Sequence, residues 1–135
     1  MEKVIVKISH TGKNYTAYLP QLEGCVATGT TREEIQNNIN EAVKFHIEGS
    51  LEDNDPLPQV FVGGNYELIF QYDTAAVLAT YKGVFTNAAF ERITGIKQKQ
   101  IQHYSTGYRK PRPAQAKKIQ DSLHKLGREL MAVEL

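Results

Sequence analysis

Residues 15–46 read YTAYLPQLEGCVATGTTREEIQNNINEAVKFH, and the change of period inside this stretch decides the fold of the first half of the chain. Tyr15 to Leu19 is a strand-like run closed by Pro20, and Cys25 to Thr28 is a second short run between Gly24 and Gly29. Connections this short favour antiparallel pairing. After Gly29 the period lengthens. Thr31 stands three residues before Glu34, the spacing of a capping box. From Arg32 to Glu48, residues Ile35, Ile39, Ala42, Val43 and His46 fall within about 100° of arc at 3.6 residues per turn, the width of a core-facing stripe. Gly49-Ser50 is the predicted end of that helix.

Outward from this centre, residues 2–8 alternate, with Lys3, Ile5 and Lys7 on one face and Val4, Val6 and Ile8 on the other, which predicts a strand. Thr11-Gly12-Lys13-Asn14 is a turn cluster. Downstream, residues 52–58 form a polar, proline-marked loop, Gly63-Gly64-Asn65 another turn, and Tyr66 to Tyr72 a last strand. The first half is therefore β-β-β-α-β, a helix laid on one face of a small sheet. From Asp73 onward no strand signal remains. Asp73 or Thr74 can cap a helix through about Tyr81, with Gly83 as its stop, and Thr86 can cap a second to Thr94, stopped by Gly95. A third runs from about Lys97 to Ser105 and ends at Gly107. Pro113 suits the first turn of a fourth, ending near Met131. In it Ile119, Leu123, Leu126 and Leu130 form a 4-3-4 apolar seam, read as core or as a dimer contact. The fold class is α+β, with residues 1–72 as one unit and an all-α unit over 73–135.

The composition is that of an ordinary globular chain: 135 residues, 41% hydrophobic and 23% charged. No apolar run approaches the roughly 20 residues that cross a bilayer. The N-terminus has no charged region followed by an apolar stretch, so export is not expected. Cys25 is the single cysteine, which excludes an intramolecular disulfide and makes the reducing cytoplasm the expected location. The net charge of +1 hides a split. Residues 1–70 carry five Lys/Arg against ten Asp/Glu (−5), and residues 71–135 carry eleven against five (+6). Between Arg92 and Lys118 lie eight basic residues and no acid. Such asymmetry suggests two units with different partners, and the basic stretch is an electrostatic footprint for phosphate.

The strongest chemical signal is Phe90-(x)4-Gly95-Ile96-(x)4-Ile101-(x)2-Tyr104-(x)2-Gly107. Two short helices meet at a glycine turn, and the second turns Ile96, Ile101 and Tyr104 inward. Lys97, Gln98, Lys99, Gln102 and His103 then face outward. A helix fits the major groove of duplex DNA, where Gln pairs with adenine edges and Lys with guanine or phosphate. Tyr108-Arg109-Lys110-Pro111-Arg112 follows and supplies phosphate contacts through Arg109 and Lys110. Other chemistries find no support. The first strand, Lys3 to Ile8, lacks the aspartate that an RNase H-type metal site requires there, so no catalytic residues and no metal are assigned. His10, His103 and His124 have no ligand spacing. His46 is read as a packed, hydrogen-bonded histidine and Cys25 as a small buried residue, and of Tyr15 and Tyr18, on opposite strand faces, at least one belongs to the core.

Two resemblances attach to these residues. Phe90 to Gly127 resembles the helix-turn-helix of the phage-repressor class, with one departure: Glu91 stands where that class usually has a small residue, four before the turn glycine. Its carboxylate must point out of the helix–helix contact. The segment Tyr15 to Gly29, with Glu33-Glu34 and Asn38 to His46, resembles HicB antitoxins, which carry a partial RNase H-like domain followed by a DNA-binding domain. Leu22-Glu23-Gly24 and Glu33-Glu34-Ile35 replace that family's usual Leu-Pro-Gly and Glu-Glu-Ala. The resemblance implies a non-enzymatic protein without cofactors that blocks a basic, RNA-cleaving HicA-like toxin and represses its own operon on double-stranded operator DNA as a homodimer or higher homo-oligomer. A stand-alone regulator whose first unit senses a small ligand is the alternative. A pocket between the three short strands and the helix would favour it.

Overall fold

A computed structural model describes residues 1–135. Four strands, β1 (Glu2–His10), β2 (Tyr15–Leu19), β3 (Leu22–Gly29) and β4 (Tyr66–Tyr72), form one sheet in the order β3-β2-β1-β4. The hairpin pairings are antiparallel, whereas β1 and β4 run parallel, with Ile5 opposite Ile69. Helix α1 (Arg32–Glu52) crosses between β3 and β4 and packs on one face. The strand alternation explains which face is covered: Val4, Val6, Ile8, Tyr15, Ala17 and Leu19 are buried, while Lys3, Lys7 and Tyr18 face out. Ile35, Ile39 and Val43 of α1 complete this core from above, with Cys25 and Phe61. Tyr15 is thus the core tyrosine and Tyr18 the exposed one, 46% accessible.

Local chemistry sets most boundaries. The Thr31 hydroxyl accepts from the Glu34 N–H, and Glu34 answers by accepting from the Thr30 N–H and hydroxyl. The Glu34 arm reaches one residue further back than the capping box requires. Gly29 lies so close to α1 that a Cβ there would stand 2.8 Å from the Ile35 backbone nitrogen. Only glycine lets β3 pass under the first turn of the helix. Two boundaries differ from the sequence reading. β3 begins at Leu22, three residues early. α1 runs past Gly49-Ser50 to Glu52, where the Asp53 N–H closes on the Gly49 carbonyl. Ser50 is buried and Ile47 packs on the core, and that burial outweighs the roughly 1 kcal/mol cost of a mid-helix glycine. Between the loop and β4, a 3₁₀ helix (Gln59–Gly64) delivers Phe61 to the core, where it meets Tyr66 edge-on at 5.2 Å.

Helices α2 (Thr74–Thr80), α3 (Asn87–Thr94), α4 (Gln98–Thr106) and α5 (Pro113–Met131) make the second half. Asp73 caps α2 through the Ala76 N–H at 2.8 Å. Burial pushes its carboxyl above the usual range, against the opposing pull of that N–H and of Lys110 and His10. The helix ends at Thr80, capped by Tyr81, before Gly83 is reached. α2 belongs to both halves: Ala76 is buried in the sheet core, and Leu78 in a second core of six residues with Phe90, Ile96, Ile101, Tyr104 and Ile119. The Tyr15 hydroxyl, 2.8 Å from that of Thr80, adds a polar fastening across the same junction. The α5 seam divides along its length. Ile119 is core, Leu123 and Leu126 are half-buried, and Leu130 is 59% exposed.

Candidate nucleic-acid interface

α3 and α4 meet at Gly95, which adopts the left-handed conformation (φ +76°) that a tight helix exit requires. Thr94, buried here, fastens the turn from inside: its hydroxyl donates to the Phe90 carbonyl at 2.6 Å and accepts from the Ile96 N–H at 3.1 Å. Lys97 offers α4 no side-chain cap. Glu91 supplies one, its Oε1 accepting from the Gln98 N–H at 2.9 Å. The unusual glutamate four before the turn glycine thus bridges the two helices at their exposed rim and satisfies an orphan donor of the next helix. Replacing Glu91 with alanine should cost about 1 kcal/mol, the ordinary value of a lost N-cap, whereas Glu91→Gln keeps the acceptor and most of the stability. Thermal melts of the two variants check this, and equal losses would contradict it.

Ile101 and Tyr104 anchor α4 inward, 0% and 3% exposed. Lys97, Gln98, Lys99 and Gln102 lie exposed on the other side, as do Arg109 and Lys110 in the following loop. The structure places His103 differently from these. It is half-buried, its ring 4.8 Å from that of Tyr108, and its Nδ1 is buried without a hydrogen-bond partner. Gln102 is tied by the Asn87 amide, which donates to its Oε1 at 2.8 Å, a contact that spacing along α4 alone does not reveal. The sole ion pair in the chain is Lys117–Asp121. The cations around α4 are exposed and have no carboxylate within 4.0 Å.

No group of three or more His, Cys, Asp or Glu side chains converges to hold a metal. Cys25 is buried, and burial pushes its thiol above the ordinary range, toward the unreactive protonated form. His46 is half-buried over Gly24, without a hydrogen-bond partner in the chain. The two main clefts both involve the helical half. One, of about 410 Å³, lies between the β1–β2 turn and α2 to α4. The other, of about 640 Å³, runs between α5 and residues of β4 and α2. Neither lies between α1 and the sheet, where a ligand-sensing first unit would hold its ligand. No helix is long and apolar enough to cross a membrane.

Comparison with known proteins assigns the first half. The chain is 40% identical over 52 residues to an uncharacterized 14.9 kDa protein from the rep-hol intergenic region of Haemophilus phage HP1, a match covering 38% of this chain and 39% of that one. It is 40% identical over 45 residues to a UPF0150 protein of Synechocystis sp., covering 33% and 57%. The chain thus spans well under two thirds of either relative. The model of a family described as the HicB-like antitoxin of bacterial toxin–antitoxin systems matches residues 3–77, which are β1 to β4, α1 and the first turn of α2. With more than half its length matched, and with the β-β-β-α-β order that its alternation dictates, the chain belongs to the HicB-like antitoxin family.

Proposed function

We propose that the protein is an antitoxin and autorepressor: the sheet unit occludes a basic HicA-like toxin, and the helical unit acts as a helix-turn-helix on operator DNA. One observation carries the reading. The family match ends at residue 77, and beyond it the charge changes sign and α4 exposes an acid-free row of long donors. The acidic first unit, of partial RNase H-like type, suits a basic partner, while the second suits a polyanion. Occlusion needs no chemistry from the antitoxin, so no cofactor, metal or catalytic residue enters. Gln98, Lys99 and Gln102 read base edges, and Lys97, Arg109 and Lys110 hold phosphates. His103 supports the loop through Tyr108 and has only Nε2 free for DNA. The protein acts as a homodimer or higher homo-oligomer, for which the far end of the α5 seam, half-buried Leu126 and exposed Leu130, is the self-association surface.

Alanine at Gln98 or Gln102 should cost about 1–3 kcal/mol on operator DNA at the base touched and little on random duplex. Alanine at Arg109 should weaken both alike and flatten the salt dependence. Anisotropy titrations on the two duplexes separate these outcomes. Equal weakening by Gln98→Ala or Gln102→Ala on both duplexes removes the base-reading assignment.

A further inference from the structure

We infer that the β1–β2 turn of the first unit is part of the DNA-binding surface, with Lys13 contacting a backbone phosphate beside the site read by α4. This rests on the DNA-binding reading above and adds a residue from the opposite half of the chain. The 410 Å³ cleft is its basis. His10 and Lys13 line one wall, and Lys82, Asn87 and Gln102 line the other. No carboxylate lines it, and neither lysine has an acidic side chain within 4.0 Å. Lys13 belongs to a unit of net charge −5 yet sits at the edge that faces the basic unit.

The turn is held in place. The His10 Nδ1 accepts from the Gly12 N–H at 3.0 Å, which leaves Nε2 to carry the ring proton as a further donor. The His10 ring packs edge-on against Tyr15 at 4.7 Å, and the Tyr15 hydroxyl meets that of Thr80 in α2. The cleft also adjoins the proposed reading face, because Gln102 lines it, stands on the exposed side of α4 and bonds Asn87 at the start of α3. A duplex seated on Gln98 and Gln102 runs one backbone past the mouth of the cleft. A phosphate there satisfies two lysines that the fold leaves unpaired, and fixes register without reading sequence.

The test uses the full chain and two duplexes, one from the region upstream of its own reading frame and one of random sequence, titrated by anisotropy over a range of KCl concentrations. Lys13→Gln should weaken both duplexes by roughly three- to tenfold and lower the slope of log K against log salt by about 0.9, one phosphate contact. Lys13→Arg should restore both. Lys44→Gln, which removes one charge from the exposed side of α1, should leave both unchanged. An unaltered melting temperature for Lys13→Gln shows that the fold is intact. If Lys13→Gln matches Lys44→Gln while Arg109→Ala still flattens the slope, the contact is overturned and the DNA reading stands. If the unsubstituted chain binds neither duplex, both are overturned.

Discussion

Phe90→Ala is expected to unfold the helical unit and abolish DNA binding while the sheet unit keeps a separate, weakened transition. Phe90 is 2% exposed and meets Phe85 edge-on at 5.4 Å, within a core of only six buried residues. Truncating a buried phenylalanine costs about 3–5 kcal/mol, the lost transfer energy plus the cavity. A unit of this size holds a total of only about 3–9 kcal/mol. The loss is therefore comparable with everything that keeps α3 and α4 together. The second core also contributes Leu78 from α2, while Ala76 of the same helix sits in the sheet core. Fraying α2 from one side should lower the sheet transition without removing it. Circular dichroism in a urea series checks this, with helical signal already reduced without urea and one weakened transition, that of the sheet unit. A single transition at the original midpoint would contradict it.

Phe61→Ala should remove about 3–5 kcal/mol from the other unit, and Phe61→Leu, which refills most of the volume, well under half of that. Phe61 is 2% exposed among thirteen buried residues and stacks edge-on with Tyr66. The expected result is a drop in urea midpoint with an unchanged slope. A loss below about 1 kcal/mol for the alanine variant would mean that the 3₁₀ segment rests on the surface and contributes no core.

These two residues differ in how far the sequence reveals them. Phe90 stands four after a threonine cap and five before a turn glycine, and both signals are local to its own helix. Hence Thr86, Gly95, Gly107 and Pro113 mark the helix ends where the sequence places them. Phe61 has no periodic neighbour, and the core that buries it is built mostly from β1, β2, β3 and α1, earlier in the chain. Val60-Phe61-Val62 was the available signal, an apolar triplet inside a polar connection. Long-range pairing was equally hidden: the β-β-β-α-β order is legible, but the parallel docking of β4 beside β1 is decided by the helix crossing between them.

The site divides along the same line. Spacing puts Lys97, Gln98, Lys99 and Gln102 on one side of α4, and they are exposed there. It cannot register that Tyr108, five residues past His103, returns over that ring. Nor can it register that the turn at Lys13 lines the same cleft as Gln102, 89 positions away. Glu91 is the instructive middle case. Its departure from the repressor pattern is visible in sequence, and its cause, a missing cap on α4, is visible only once Lys97 is seen to provide none.

The antitoxin reading is tested most directly by co-purification of the tagged protein expressed together with its adjacent reading frames, followed by an assay of the purified complex for RNA cleavage. A stable complex is expected with a small basic chain whose RNA-cleaving activity is silent in the complex and returns when the sheet unit, destabilised by Phe61→Ala, is warmed past its unfolding transition. DNA binding with no such partner would contradict the antitoxin reading and leave a regulator whose first unit has another task.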